Sequence, residues 1–141
     1  MKYKGFVASL TLFVIFGLSN QSLASTSPPM GSWNLVNATA VSAIKMKSGI
    51  KLYAALVLPN PCNNTRIQKV IPTDPKSPQF LIQGQVRPGV CNQVITRCVV
   101  SRGFVMLPIP GQVVVASERK LRRVSVGIES LPGQSCRFQE P

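Results

Sequence analysis

The chain has 141 residues, with 16 Lys and Arg against 4 Asp and Glu, a formal net charge of +12, and no histidine. Without His there is no Ser-His-Asp or Cys-His catalysis and the commonest metal ligand is missing. The four acids, Asp74, Glu118, Glu129 and Glu140, are too scattered for a paired-carboxylate site to be expected, so the composition points away from an enzyme and from any cofactor.

Lys2 and Lys4 open the chain, and an apolar run from Phe6 to Leu18 follows, broken only by Ser9, Thr11 and Gly17. A polar stretch then leads to Ser22-Leu23-Ala24. Charge, apolar core and small residues three and one before a cut are the order of a secretory signal peptide, here residues 1–24. The run is shorter than the roughly 20 residues that cross a bilayer. No later segment is apolar for that length, so the mature chain from Ser25 is expected to carry no membrane span. Removing Lys2 and Lys4 from the 16 basic residues leaves 14 against 4 acids, a net +10. That charge suits an anionic partner, and it equally keeps an exported protein soluble.

Residues 25–32 are rich in Ser, Pro and Gly and read as a flexible lead-in to one domain over 33–141. Asn37–Lys47 is the only plausible helical stretch, and its Val, Thr and Ile content argues against a helix. Ile50, Leu52, Ala54, Leu56 and Leu58 alternate with Lys51, Tyr53, Ala55 and Val57, a strand with one apolar face that Pro59-Asn60-Pro61 ends. Ile67–Ile71 predicts a second strand, and Pro72, Pro75 and Pro78 an irregular connection. Phe80, Ile82, Gly84 and Val86 form the next apolar face, closed by the turn Arg87-Pro88-Gly89. Val94–Val100 reads as one strand, with Cys98 on the Val94/Val100 face, and Phe104–Leu107 as a separate short apolar segment. Val113–Val115 and the alternating Val124, Val126 and Ile128 supply two more strands. Leu131-Pro132-Gly133 turns the chain into a last strand, Ser135–Phe138. About seven or eight short strands with closely spaced turns predict an all-β fold, a β-sandwich or small barrel. Its core is expected from Leu52, Leu56, Ile82, Val86, Val114, Val124, Val126 and Ile128.

Cys62, Cys91, Cys98 and Cys136 are an even set in a short exported chain, which reads as two disulfides. Zinc would need His or C-x-x-C spacing, and neither is present. Four cysteines allow three pairings, and spacing does not choose among them.

Leu58-Pro59-Asn60-Pro61-Cys62 and the later Cys91-Asn92-Gln93, followed by a β-rich run and a Leu-Pro segment, carry a resemblance. Over Gly49–Gly127 the chain resembles small bacterial exported domains with a PNPC…CxQ pattern and an immunoglobulin-like fold. The resemblance implies a disulfide-stapled immunoglobulin-like β-sandwich and a periplasmic or secreted location. It further implies a Cys62–Cys91 bridge, which leaves Cys98 and Cys136 to each other. It implies no activity.

The densest charge cluster is Arg119, Lys120, Arg122 and Arg123, between two valine-rich strands. It is a candidate anion-binding hairpin tip, and a solvated hairpin end explains it as well. Lys45, Lys47 and Lys51 form a looser group. Trp33 reads as core or as a lid on the sandwich edge, with a ligand platform as the alternative. Asn37-Ala38-Thr39 and Asn63-Asn64-Thr65 match the glycosylation acceptor pattern, and Arg87–Cys91 could present a constrained inhibitory loop. Aromatic residues are sparse near the basic tip, so no specific nucleic-acid partner is expected. The expectation is an exported, non-catalytic binding domain whose partner is a protein or an anionic envelope component. The alternatives are an extracellular protease inhibitor or hydrolase, and a structural subunit of an envelope assembly.

Overall fold

The computed structural model describes residues 32–140. The signal peptide read at residues 1–24 and the lead-in read at 25–32, except Ser32, lie outside these. Among the described residues there is no helix, and nine strands follow one another: β1 Asn34–Leu35, β2 Ala38–Met46, β3 Gly49–Leu58, β4 Asn63–Lys69, β5 Gln79–Val86, β6 Thr96–Val105, β7 Gln112–Ala116, β8 Leu121–Gly127 and β9 Phe138–Gln139.

Alternation builds β3. Ile50, Leu52, Ala54, Leu56 and Leu58 of β3 all point inward and are almost fully buried. The ambiguous stretch before it is strand, as its β-branched content indicates, and pairs antiparallel with β3 from Met46↔Gly49 back to Ala38↔Leu56, with a register shift between Ala38 and Ala40. On the other side β3 pairs along its whole length with β6, from Gly49↔Val105 to Leu58↔Thr96. This merges what the sequence divides in two. Ser101-Arg102-Gly103 looks like a break, but its backbone continues the β3 ladder opposite Tyr53, Leu52 and Lys51. Val94 and Ile95 fall outside the strand and are exposed.

Strand β4 begins four residues earlier than its apolar residues suggest. Its inward positions are Asn63, Thr65 and Ile67, all buried. The polar pair is tolerated because it is hydrogen-bonded: Asn63 Nδ2 donates to Asn60 Oδ1 at 3.1 Å, and Thr65 Oγ1 donates to the Phe138 carbonyl at 3.0 Å.

The strand path is β6-β3-β2-β8-β7-β5-β4-β9, with β1 paired to β5. Three pairings are parallel: β2 with β8, β5 with β7, and β4 with β9. Strand β8 joins the two halves, pairing with β7 through Ser125 and with β2 through Val126 and Gly127. The two ends of the path then approach each other. Val99 of β6 bridges to Ser135, Ser101 N–H donates to Gln139 Oε1 at 3.2 Å, and Arg102 Nη1 donates to the Ile67 carbonyl of β4 at 3.0 Å. The result is one sheet nearly closed into a barrel, an arrangement that leaves little free strand edge. The immunoglobulin-like sandwich rests on the sequence resemblance alone.

The core fills the inside. Phe80 packs on Phe104 with ring centroids 4.7 Å apart, among Ile50, Ile67, Ile82, Val100, Val113 and Val115. Leu52, Leu56 and Ile82 are core as expected, and Val124 and Val126 are half-buried against it. Three expected members are not core. Val86 sits at the end of β5 and is 51% exposed, and Ile128 lies past the end of β8 and is 93% exposed. Val114 points outward, because the inward places of β7 belong to its neighbours Val113 and Val115. Three consecutive valines cannot report which of the two faces is inside.

Two disulfides are formed, Cys62–Cys91 and Cys98–Cys136, with Cα separations of 6.2 and 4.8 Å. The first ties the start of β4 to the loop after β5. The second ties β6 to the segment entering β9, and so fastens the seam.

Candidate anion-binding surface

The basic cluster divides. Residues 117–120 join β7 to β8, with Ser117 N–H donating to the Lys120 carbonyl at 2.9 Å. Arg119 and Lys120 are exposed on this turn. Beyond it the strand alternates, so Arg122 and Arg123 project to opposite faces of the sheet. Arg122 is half-buried and its Nη2 donates to the Ala38 carbonyl at 2.9 Å, tying β8 to the start of β2. Arg123 is exposed on the outer face. The structure therefore groups Arg119 with Lys120 and gives Arg122 a structural partner.

Other sequence candidates also find places. Lys45 and Lys47 are exposed, while Lys51 Nζ lies 5.3 Å from the Tyr53 ring centre. Asn63 is buried and bonded to Asn60, so it is a poor modification acceptor. An open, mostly apolar groove of about 490 Å³ lies where β1, β3 and β5 end, lined by Leu35, Val36, Leu58, Val86 and Ile95 among others.

A second basic group, not visible as a sequence cluster, forms around β9. Parallel pairing with β4 sets Phe138 beside Asn64. The Arg87 guanidinium carbon stands 3.7 Å from the centre of the Phe138 ring, and that of Arg137 5.1 Å. Each such stack contributes about 0.5–1 kcal/mol at an exposed site. Gly89, at φ 111°, lets the Arg87-Pro88-Gly89 turn fold over toward the Cys62–Cys91 bridge. Nearby, the Arg66 guanidinium lies 4.0 Å from the centre of the half-buried Trp33 ring, donates from Nε to Gln83 Oε1 at 2.9 Å and forms an ion pair with Glu140 at 3.4 Å. Trp33 is thus not a core residue but lines a surface groove. Signals for this group were present but separate: an Arg next to a turn glycine and a cysteine, and an Arg-Phe pair close to the last cysteine.

Among the described residues, no helix is long and apolar enough to cross a membrane, and no group of three Cys, Asp or Glu is placed to hold a metal. No family model, curated protein or solved structure matches the chain.

Proposed function

We propose that this chain is an exported, non-catalytic binding domain that recognises an anionic envelope or extracellular partner. The observation that carries the reading is the surplus of cations without acidic partners. Among the described residues one ion pair is formed, Arg66–Glu140, and the exposed cations create a positive field that attracts anions from a distance. Two disulfides fit an oxidising compartment, and the signal-peptide pattern supports export to the periplasm or the exterior. The immunoglobulin-like kinship belongs to the same reading, supported by the PNPC…CxQ residues.

Retention of the mature domain on heparin tests the proposal. Binding at about 0.1 M salt should be lost toward about 1 M, as the Debye length falls from about 10 to 3 Å. A mature domain that is not retained even at low salt would overturn the reading.

A further inference from the structure

We propose that Arg87, Arg137 and Phe138, together with the groove reaching Trp33, form a binding site for an acidic saccharide unit, one carrying a carboxylate, sulfate or phosphate group. The inference rests on the anion-binding reading above and assigns it a place and a ligand class.

The anionic end is the better defined. Both guanidinium carbons stand close to one phenyl ring, at 3.7 and 5.1 Å from its centre. A cation–π contact is made through charge and uses none of the in-plane N–H donors of a guanidinium as a hydrogen bond to an acceptor oxygen. Among the described residues neither guanidinium has a hydrogen-bond acceptor or an ion pair. Two forks held on the same ring can donate to the oxygens of one oxyanion, in the charge-assisted geometry that suits carboxylate, sulfate and phosphate. The small depression that Arg87 and Arg137 share, of about 210 Å³, has no acid in its lining and is backed by the Cys62–Cys91 bridge. The bridge limits movement of the Arg87 loop, so less freedom is lost on binding.

The saccharide end follows from what adjoins it. Arg137 and Phe138 also line, together with Trp33, an open groove of about 450 Å³. Asn64 and Gln139 also line it. Asn64 Nδ2 donates to Gln85 Oε1 at 3.0 Å and Gln139 Oε1 accepts from Ser101 N–H at 3.2 Å, so the groove can use the Asn64 oxygen as an acceptor and the Gln139 amide nitrogen as a donor. One amide acceptor and one amide donor beside two guanidinium-capped aromatic residues match the hydroxyls of a sugar that carries an acidic group. The single acid here, Glu140, is already paired with Arg66, which limits its repulsion of an incoming anion. A lipid tail would find polar amides, and a simple inorganic ion would leave the groove unused.

Trp33 is the only tryptophan of the chain, so its fluorescence reports directly on the groove. The probes are a sulfated, uronate-containing heparin disaccharide, the neutral disaccharide cellobiose, and inorganic sulfate. The heparin disaccharide should change Trp33 emission saturably. Cellobiose and sulfate should each bind at least tenfold more weakly, because each satisfies one end of the site. The double variant Arg87→Gln/Arg137→Gln should weaken disaccharide binding at least tenfold, with an unchanged far-ultraviolet spectrum and both disulfides intact. Arg119→Ser/Lys120→Ser should leave it unchanged. Sulfate binding as tightly as the disaccharide, or an unaffected Arg87→Gln/Arg137→Gln variant, overturns the site. If that happens while wild-type protein still elutes from heparin late and salt-dependently, the site alone fails. If wild-type protein is not retained on heparin at all, the anion-binding reading fails with it.

Discussion

Arg122 and Arg123 are neighbours of one charge and one type, yet they do different work. Arg122 closes a hydrogen bond from β8 to the Ala38 carbonyl, whereas Arg123 reaches solvent from the outer face. Arg122→Ala should therefore lower stability by about 1–2 kcal/mol, since a charged donor is lost from a partly buried carbonyl. Arg123→Ala should stay within about 0.5 kcal/mol. Denaturant melts of the two variants check the contrast, and equal effects would show that the Arg122 bond contributes nothing. Gly49 makes a similar point about space. A Cβ there would overlap the Phe104 carbonyl oxygen across the β3–β6 ladder. Gly49→Ala should destabilise by about 3 kcal/mol, because β3 and β6, paired along their whole length, would have to separate. Gly103, on the paired strand, has open space around its Cβ position, and its Ala variant is the natural control.

Among the elements, the disulfides differ in access. Cys98 and Cys136 are buried, while Cys62 and Cys91 are half-exposed. Thiol–disulfide exchange needs approach of an attacking thiolate. Under limiting reductant, Cys62–Cys91 should therefore open first, and peptide mapping after alkylation should find label on that pair. First label on Cys98 and Cys136 would contradict the burial argument. Access also explains what could be read from the strands in advance. Where the inward face is apolar, as in β3 and β5, alternation identifies both strand and face. In β4 the inward face is Asn63 and Thr65, and no hydrophobic pattern announces it. In β6 the polar centre looks like a gap because its contribution is backbone hydrogen bonding to β3, which side chains do not reveal. The site was less legible still. Arg87 and Phe138 are distant in sequence, and only the parallel β4–β9 pairing and the Cys62–Cys91 bridge place them together. A basic run such as 119–123 is conspicuous in sequence, but strand alternation disperses it.

At the scale of the molecule, composition constrained more than motifs did. The even cysteine count, the strand lengths and the turn spacing led to an all-β, disulfide-stapled fold, while closure of the sheet depends on long-range pairings with no local signature. A far-ultraviolet spectrum of the mature domain should show strand and turn without helix. A helical spectrum would be incompatible with the nine strands. Intact mass of the exported protein should begin at Ser25, and retention of Met1 would argue against cleavage after Ala24.

The seam has a consequence in time. Strand β2 waits for Val126 and Gly127 of β8, and Val99 of β6 waits for Ser135. A chain that emerges N-terminus first, from a ribosome or across a membrane, therefore has nearly all its strands in hand before it can shut any barrel. Until the last few residues arrive, Cys98 has no Cys136 to meet, and the edges of β4 and β6 stand open to one another and to other chains. Pairings of this sequence separation are slow to find. The interval between emergence of β6 and emergence of β9 is the window in which this protein is exposed to aggregation or to a wrong disulfide, and a chain halted at Leu131 would be held in that window permanently.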